Sequence, residues 1–345
     1  MTKSLRALWC HTPTLPLQLP CSSLRTMMET LFISATEAYE VTTMNTDHAL
    51  YVLISFDMES DIGSWGNTYQ GVIEGTAPIL QVLAHHQVPA TFLYTGNAAL
   101  AGPESLAMVK AAGHEIGCHT LQHESVGTPI FEAPGIPPVL PEEVFNRLRK
   151  ATALIEERAG VRPVSFRAPR GWGGNEMIQA LDQLGYWVDS SYMAYFHGEH
   201  LLPYHPSAQD WRKPGDLRIL EVPLFADLTV PGELPDHRDR DGWPKLRTHG
   251  GRHLADMVRR NAERMWAAGK PMMVCLYLHP WEFVPMPTVL DTDEARIEFK
   301  PWLVQNCGQR ALDELDIFIT EMKRLGARFH TLRDFCEEWK RHYEP

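Results

Sequence analysis

Short apolar runs alternate with longer amphipathic segments from residue 48 to about residue 340. Apolar runs predict strands at 51–56, 90–95, 114–118, 164–167, 186–189, 217–222, 272–279 and 328–331. Helical periodicity predicts helices at 76–86, 103–112, 141–159, 175–184, 248–268 and 309–325. This alternation, without an internal repeat, is typical of parallel β/α folds. We expect one α/β domain over 48–340 that forms a complete or slightly distorted β/α barrel.

The predicted strands tend to end in residues that can do chemistry. Asp57, His119, Arg167, Asp189 and His279 each follow an apolar run. In β/α barrels the carboxyl ends of the strands meet at one face, where the active site lies. These five side chains are therefore expected to converge although they are far apart in sequence.

A metal site is suggested by two of these strand ends. His119 and His123 are separated by one helical turn if the segment is helical, and they would then share a face and bind one ion. The first strand ends in three carboxylates, at Asp57, Glu59 and Asp61. Two histidines and a carboxylate form a metal site with open positions, which suits hydrolysis. The chain has 16 histidines, so a lone pair at this spacing is weak evidence by itself.

Composition narrows the function classes. The net charge of −11 argues against a nucleic-acid partner, and no run approaches the roughly 20 apolar residues that span a membrane. Six cysteines without CxxC spacing suggest a reducing, cytoplasmic compartment. Residues 1–47 are expected to be a mobile or spurious extension. Their signal-like apolar run is interrupted by His11, Pro13, Pro16 and Pro20.

Five motifs in order resemble the polysaccharide deacetylase family, which shares the chitooligosaccharide deacetylase homology domain and is also known as carbohydrate esterase family 4. They are Ser55-Phe-Asp-Met-Glu59, His119-Thr-Leu-Gln-His123, Arg167-Ala-Pro-Arg-Gly171, Val188-Asp-Ser-Ser191 and Leu278-His-Pro280. The resemblance covers roughly residues 51–339 and implies an irregular seven-stranded barrel.

The first motif departs from the family pattern, which has two adjacent aspartates. Met58 follows Asp57 here, and a thioether is a poor ligand for a hard divalent ion. Glu59 is the nearest substitute, because side chains alternate along a strand and Glu59 could lie on the same side as Asp57. Asp61 remains an alternative ligand. If none of these carboxylates binds, the site resembles the metal-free, allantoinase-like branch of the family.

The residues and the resemblance together suggest roles. Glu59, His119 and His123 would bind a divalent metal, with zinc preferred over cobalt, nickel or manganese. Asp57 would act as general base and His279 would protonate the departing amine. The resemblance implies that Arg167 orients Asp57 and that Asp189 holds His279 in its useful tautomer. From the sequence alone, Arg167 could equally form a structural ion pair.

These roles predict a metal-dependent hydrolase that removes an acyl group, most often acetyl, from an N-acylated amino sugar, a glycan or a small amide. The alternatives are a cyclic amide or imide hydrolase of the allantoinase kind and an inactive carbohydrate-binding relative. The oligomeric state is left open.

Aromatic residues could line the site. Trp172 and Trp281 each follow a motif and are predicted to bind substrate. Two long segments, 191–216 and 225–248, are expected to form loops over the barrel mouth, where rings stack on sugars, or to pack against the rim. Their aromatic residues include Tyr192, Tyr195, Trp211 and Trp243. Five residues near the motifs or loops are interpreted as structural or supporting: Asp61, Glu74, His114, His205 and Glu282.

Overall fold

The computed structural model describes residues 48–131, 136–198, 200–233, 238–291 and 296–344. All of them belong to one compact unit, Thr46–Pro345. The predicted extension at residues 1–47 lies outside the described residues. Of the helices described, none combines the length and the apolar character needed to cross a membrane.

Within the described ranges, eight strands form one parallel sheet. They are β1 Leu50–Met58, β2 Thr91–Tyr94, β3 Glu115–Cys118, β4 Ser165–Phe166, β5 Val188–Asp189, β6 Leu220–Glu221, β7 Met272–Leu278 and, later in the chain, β10 Arg328–Phe329. Strands β1 to β6 are neighbours in sequence order, and β7 returns to pair with β1. A separate antiparallel hairpin consists of β8 Val289–Asp291 and β9 Arg296–Glu298.

Strand β1 organises the barrel. Its residues 50–56 pair with β7 on one side. On the other side, Tyr51 and Val52 pair with β10, whereas residues 55–58 pair with β2. β10 thus fills the space where β1 and β2 have separated. Strand β7 also contacts the segment that follows β6, because Phe225 N donates a 2.9 Å backbone hydrogen bond to the carbonyl oxygen of Cys275 in β7. The predicted distorted seven-stranded barrel is confirmed.

The helices on the outside of the barrel agree closely with the hydrophobic pattern. The larger ones are Thr76–His86, Gly96–Ala101, Pro103–Ala111, Pro141–Ala159, Asn175–Leu184, Gly251–Ala267, Gln309–Arg324 and Leu332–Tyr343. Two of them, Gly96–Ala101 and Leu332–Tyr343, were not predicted. Both carry a recognisable threonine cap, because Thr95 accepts a hydrogen bond from Ala98 N and Thr331 from Asp334 N, each at 3.1 Å.

Strand β1 has no face exposed to solvent. All nine of its residues are buried, as expected for a central strand of a parallel sheet covered on both sides. Phe56 stacks on Phe92 of β2 with ring centroids 4.8 Å apart. The polar residues Asp57 and Glu59 come only at the carboxyl end of the strand, so the fold places them at the barrel mouth.

Candidate active site

A cavity of about 610 Å³ opens at the carboxyl ends of the strands. Four of the five strand-end residues singled out in the sequence lie on its wall: Asp57, His119, Arg167 and His279. Glu59 and His123 lie there too. The structure therefore brings three histidines, two carboxylates and one arginine of the motifs into one cavity. Asp189 is fully buried and is not part of the wall.

Glu59, His119 and His123 form a group that could hold a metal ion. Their potential ligand atoms lie within 4.8 Å of one another, and all three side chains are buried. Oε2 of Glu59 lies 2.5 Å from Nε2 of His123 and 3.3 Å from Nε2 of His119. One carboxylate oxygen and two imidazole nitrogens thus face a common point.

The ionisation of this group suits a metal. Burial raises the pKa of Glu59, but the nearby imidazoles outweigh it through charge and hydrogen bonds, so the pKa lies well below its usual value. Burial lowers the pKa of His123 more than Glu59 raises it. An ionised carboxylate beside a neutral imidazole is the state in which both groups bind metals.

The two histidines are not brought together by a helix, so that part of the sequence prediction is wrong. Strand β3 ends at Cys118, and residues 119–123 form an irregular loop. Thr120 and His123 adopt left-handed backbone angles, with φ of 67° and 61°. The ring of His119 is fixed by a 2.8 Å hydrogen bond between Nδ1 and the carbonyl oxygen of Arg167, which leaves Nε2 for the cavity.

Asp61, the alternative carboxylate ligand, binds backbone N–H groups. Its two oxygens accept hydrogen bonds from the backbone N–H groups of Gln70 (2.8 Å) and Gly71 (2.9 Å). Gly71 packs so tightly that a Cβ there would lie 2.2 Å from the backbone nitrogen of Trp281. Asp61 therefore fixes a loop that supports the segment after His279, and Glu59 is the carboxylate that faces the histidines.

Asp57 is anchored by an arginine from the other side of the barrel. Nη1 of Arg167 donates a 2.7 Å hydrogen bond to Oδ1 of Asp57, and both side chains are buried. Nε of Arg167 donates to the carbonyl oxygen of Ser190 at 2.9 Å. The guanidinium is thereby fixed, and it holds one oxygen of Asp57 in place at the cavity wall.

The partner of His279 differs from the sequence prediction. Oε1 of Glu282 accepts hydrogen bonds from the backbone N–H (2.8 Å) and from Nδ1 (2.9 Å) of His279. Trp243 Nε1 donates to the same oxygen at 2.8 Å, and Arg247 pairs with the other oxygen. Burial raises the pKa of Glu282, but Arg247 and His279 outweigh it and bring the pKa to about 2. Glu282 is thus an ionised carboxylate directly behind the imidazole.

Asp189 instead supports the turn after β4. Its Oδ1 accepts a 2.6 Å hydrogen bond from the hydroxyl of Ser191, whose oxygen accepts from the backbone N–H of Ala168 at 2.8 Å. Asp189 therefore acts through Ser191 on the residue next to Arg167. Burial raises the pKa of Asp189 to about 6, and burial together with Asp189 raises that of Glu221 well above its usual value.

The prediction that Trp172 and Trp281 line the cleft is not supported. Both side chains are completely buried and neither belongs to the cavity wall. Trp281 lies behind His279, with the rings stacked at 5.4 Å. Among the loop aromatics, Tyr195 and Trp243 line the cavity, whereas Tyr192 and Trp211 pack against each other at 6.0 Å outside its wall.

Other cavity residues were missed in the sequence. Arg170 lies inside the third motif, and Arg238, Tyr277, Lys300 and Trp302 also line the wall. Asp241 organises this side of the cavity, because its Oδ2 accepts hydrogen bonds from Tyr277 (2.8 Å) and Arg238 (2.7 Å). Two of the missed residues had a sequence signal, because Arg170 lies within a motif and Arg238 lies in the long segment 225–248.

None of the residues interpreted as structural or supporting belongs to the cavity wall. His114 Nδ1 accepts a 3.2 Å hydrogen bond from Ala90 N, and His205 is bonded to the carbonyl oxygen of Ile219 at 2.9 Å. Glu74 accepts a 3.3 Å hydrogen bond from Gln70 at the surface.

Comparisons with known proteins agree with this geometry. The sequence pattern described as "Polysaccharide deacetylase" matches residues 46–188. The chitooligosaccharide deacetylase of Bradyrhizobium sp. (strain ANU 289) is 28% identical over 152 residues, which cover 44% of this chain and 59% of the relative. The chain thus matches less than two thirds of that relative's length.

Solved structures show the same fold. A Mycobacterium smegmatis structure assigned to the polysaccharide deacetylases matches with a TM-score of 0.55 and 20% identity, over 84% of this chain and 89% of that one. The Puue allantoinase matches with a TM-score of 0.58 and 15% identity, over 88% and 93%. The chain is thus similar in sequence to the polysaccharide deacetylases over residues 46–188, and it shares the barrel fold of these solved structures.

Proposed function

We propose that this protein is a metal-dependent hydrolase that cleaves a non-peptide amide bond and removes acetyl from an N-acetylated amino sugar or glycan. The observation that carries the proposal is the position of Glu59, His119 and His123 in one cavity with Asp57 and His279. Relatives named chitooligosaccharide and peptidoglycan deacetylases support the same class of reaction.

The three ligand residues fit a divalent metal. They supply one carboxylate oxygen and two imidazole nitrogens, and the hydrogen bond at Nδ1 of His119 sets the tautomer that presents Nε2. A metal bound there would lower the pKa of a coordinated water and polarise the amide carbonyl. We propose zinc, while cobalt, nickel and manganese also suit this donor set.

Asp57 is the general base of the proposed reaction. It lies on the cavity wall beside the ligand Glu59, and Arg167 fixes one of its oxygens. A base must be within hydrogen-bond reach of the proton it removes, and a fixed carboxylate meets that condition without reorganisation. Asp57 takes a proton from the attacking water, and Arg167 keeps its carboxylate aimed at the cavity.

His279 is the general acid. Burial lowers the pKa of His279, but the hydrogen bond to Glu282 and the charges of Glu59 and Glu282 raise it more, so its pKa lies above the usual value. The bond at Nδ1 leaves Nε2 to donate a proton to the departing amine. Glu282 takes the orienting role that the sequence assigned to Asp189.

The rim of the cavity supports a sugar substrate. Four exposed aromatic side chains line it: Trp65, Phe131, Phe196 and Trp302. Exposed rings are unfavourable in water, and flat rings of this kind stack well on the apolar faces of pyranose sugars. The cavity below them is large enough for a sugar unit or two, since ligand pockets commonly measure about 300 to 1,000 Å³.

Acetate release from N-acetylated chitooligosaccharides and from peptidoglycan tests the proposal. We expect release by the zinc-loaded protein, loss of release with a chelator, and recovery when zinc is added back. Asp57→Asn should bind the metal but release at least about 10²-fold less acetate, as expected for loss of a general base. Release that is unaffected by chelation or by Asp57→Asn would contradict the mechanism.

A further inference from the structure

Arg170 is a cavity cation without an acidic partner in the described part of the chain. Its Nη1 donates two long hydrogen bonds, to the carbonyl oxygen of His123 (3.3 Å) and to the hydroxyl of Ser125 (3.4 Å). Its guanidinium lies 5.5 Å from the ring centre of Trp172. The guanidinium carries five N–H donors, so most of the fork is available to a ligand.

Three other arginines in or behind the cavity wall pair with carboxylates. Arg167 pairs with Asp57 at 2.7 Å, Arg238 with Asp241 at 2.7 Å, and Arg247 with Glu282. Arg170 makes no such pair among the described residues, although it is partly buried. Burial accordingly lowers the pKa of Arg170, with only a weak opposing effect from Glu59.

The backbone at Arg170 is shaped to present this side chain. Arg170 has a left-handed φ of 61° in the short turn Pro169–Gly171, which begins two residues after Arg167. A non-glycine residue in this region is uncommon and is usually retained for a reason.

The charge balance of the cavity favours an anion. The charge of Asp57 is offset by Arg167 and that of Arg238 by Asp241, and a divalent ion at the site would more than offset the charge of Glu59. What remains is positive: Arg170, and Lys300, which is exposed at the wall and has no acidic partner among the described residues. The chain as a whole has a net charge of −11, so this positive cavity is a local feature.

We propose that the substrate carries a carboxylate or a phosphate next to its N-acyl unit, and that the fork of Arg170 binds this anion. A guanidinium fork matches the oxygens of both groups and binds them bidentately. The proposal rests on the proposed amide hydrolysis, because it names the class of substrate for that same site. It makes Arg170 a specificity residue, with Lys300 attracting the anion to the cavity mouth.

Three probes on one scaffold test this proposal: N-acetylglucosamine, its 1-phosphate and N-acetylmuramic acid. Calorimetric binding to the zinc-loaded protein and acetate release are measured for each. We expect one of the anionic probes to bind about 10- to 100-fold more tightly than the neutral one, and the tighter one identifies the anion. Equal binding of all three probes would overturn the proposal.

Variants of Arg170 test whether this residue causes the preference for an anionic probe. Arg170→Gln should reduce the ratio of anionic to neutral affinity about 10-fold or more, and Arg170→Lys should retain part of it because Lys keeps the charge but loses the fork. Arg324→Gln, an exposed change of the same charge outside the cavity wall, should leave the ratio unchanged. An unchanged ratio in Arg170→Gln would overturn the proposal.

The two proposals fail in different ways. Selective binding of an anionic probe that depends on Arg170, without acetate release from any probe, from chitooligosaccharides or from peptidoglycan, would support anion recognition and contradict the hydrolase. Acetate release from the neutral probe at the same kcat/KM as from the anionic probes would support the hydrolase and contradict anion recognition.

Discussion

Arg167 and Asp57, 110 residues apart in sequence, form a buried ion pair of 2.7 Å at the cavity wall. Asp57 lies in strand β1 and Arg167 directly follows strand β4, so the closed barrel is what joins them. The pair has two consequences: it holds the proposed base in position, and it contributes to stability only as long as both charges are present.

A double-mutant cycle measures that pair. Arg167→Met leaves Asp57 as an unpaired buried charge and should destabilise the fold by about 3 to 5 kcal/mol. Combining it with Asp57→Asn should restore part of the loss, because neither charge is then left alone. Denaturant unfolding of the two single variants and the double variant gives the coupling energy. Additive losses would show that the two side chains do not act as a pair.

Glu282 is predicted to set the alkaline limb of the pH profile. His279 must be protonated to act as an acid, so kcat/KM falls as pH rises through its pKa. Glu282→Gln removes the negative charge that raises this pKa, and the fall should move to lower pH by roughly 1 to 3 units.

Glu282→Asp is the control for a purely structural effect, because it keeps the charge and should keep most of the wild-type limb. Asp189→Asn should not move the limb, since Asp189 contacts Ser191 and not His279. A shift in Asp189→Asn and none in Glu282→Gln would reverse the assignment.

The buried carboxylates Asp189 and Glu221 should make stability depend on pH. Burial raises the pKa of Asp189 to about 6, whereas it titrates near its ordinary value when unfolded. Below that ordinary value, Asp189 is protonated in the folded and in the unfolded state, and its contribution to the stability of the fold is complete. It is lost as pH rises toward and through about 6, with a slope of about 1.4 kcal/mol per pH unit for one proton.

Asp189→Asn removes the titrating carboxyl group, so folding no longer changes proton binding at this position. The unfolding free energy of this variant, measured in denaturant from pH 4 to 7, should fall less steeply with pH than that of the wild type. An equal slope in both proteins would mean that Asp189 does not hold the proton.

The aromatic rim should determine substrate affinity. Trp302→Ala removes a half-exposed ring from the cavity mouth and should raise KM for acetylated oligosaccharides with little change in kcat. Trp187→Ala is a matched control, because this ring is equally exposed at 39% and lies outside the cavity wall. Steady-state kinetics on a long and a short oligomer would show the loss, and equal KM values in both variants would exclude stacking at Trp302.

Much of the barrel was predictable because periodicity and strand ends are local signals. The helices Thr76–His86, Pro141–Ala159 and Asn175–Leu184 have the predicted bounds. The convergence of Asp57, His119 and His279 followed from one rule about parallel strands. The hairpin β8 to β9 was missed because its short, exposed strands have no apolar run.

Side-chain directions were less predictable. Trp281 follows His279 in sequence, yet the turn Pro280–Phe283 directs its ring behind the histidine. That same turn brings Glu282 back onto His279, an interaction that sequence spacing does not reveal. Likewise, the left-handed residues Thr120 and His123 pair the histidines through a loop where the spacing suggested a helix.

Metal content is the most direct test of the account. Elemental analysis of purified wild type should give about one divalent metal per chain, and Glu59→Ala and His119→Ala should lose it. Asp61→Asn should keep the metal, because Asp61 binds the backbone of Gln70 and Gly71. A wild type that stays metal-free after incubation with zinc, or a Glu59→Ala variant that binds zinc as tightly as the wild type, would contradict the proposed site.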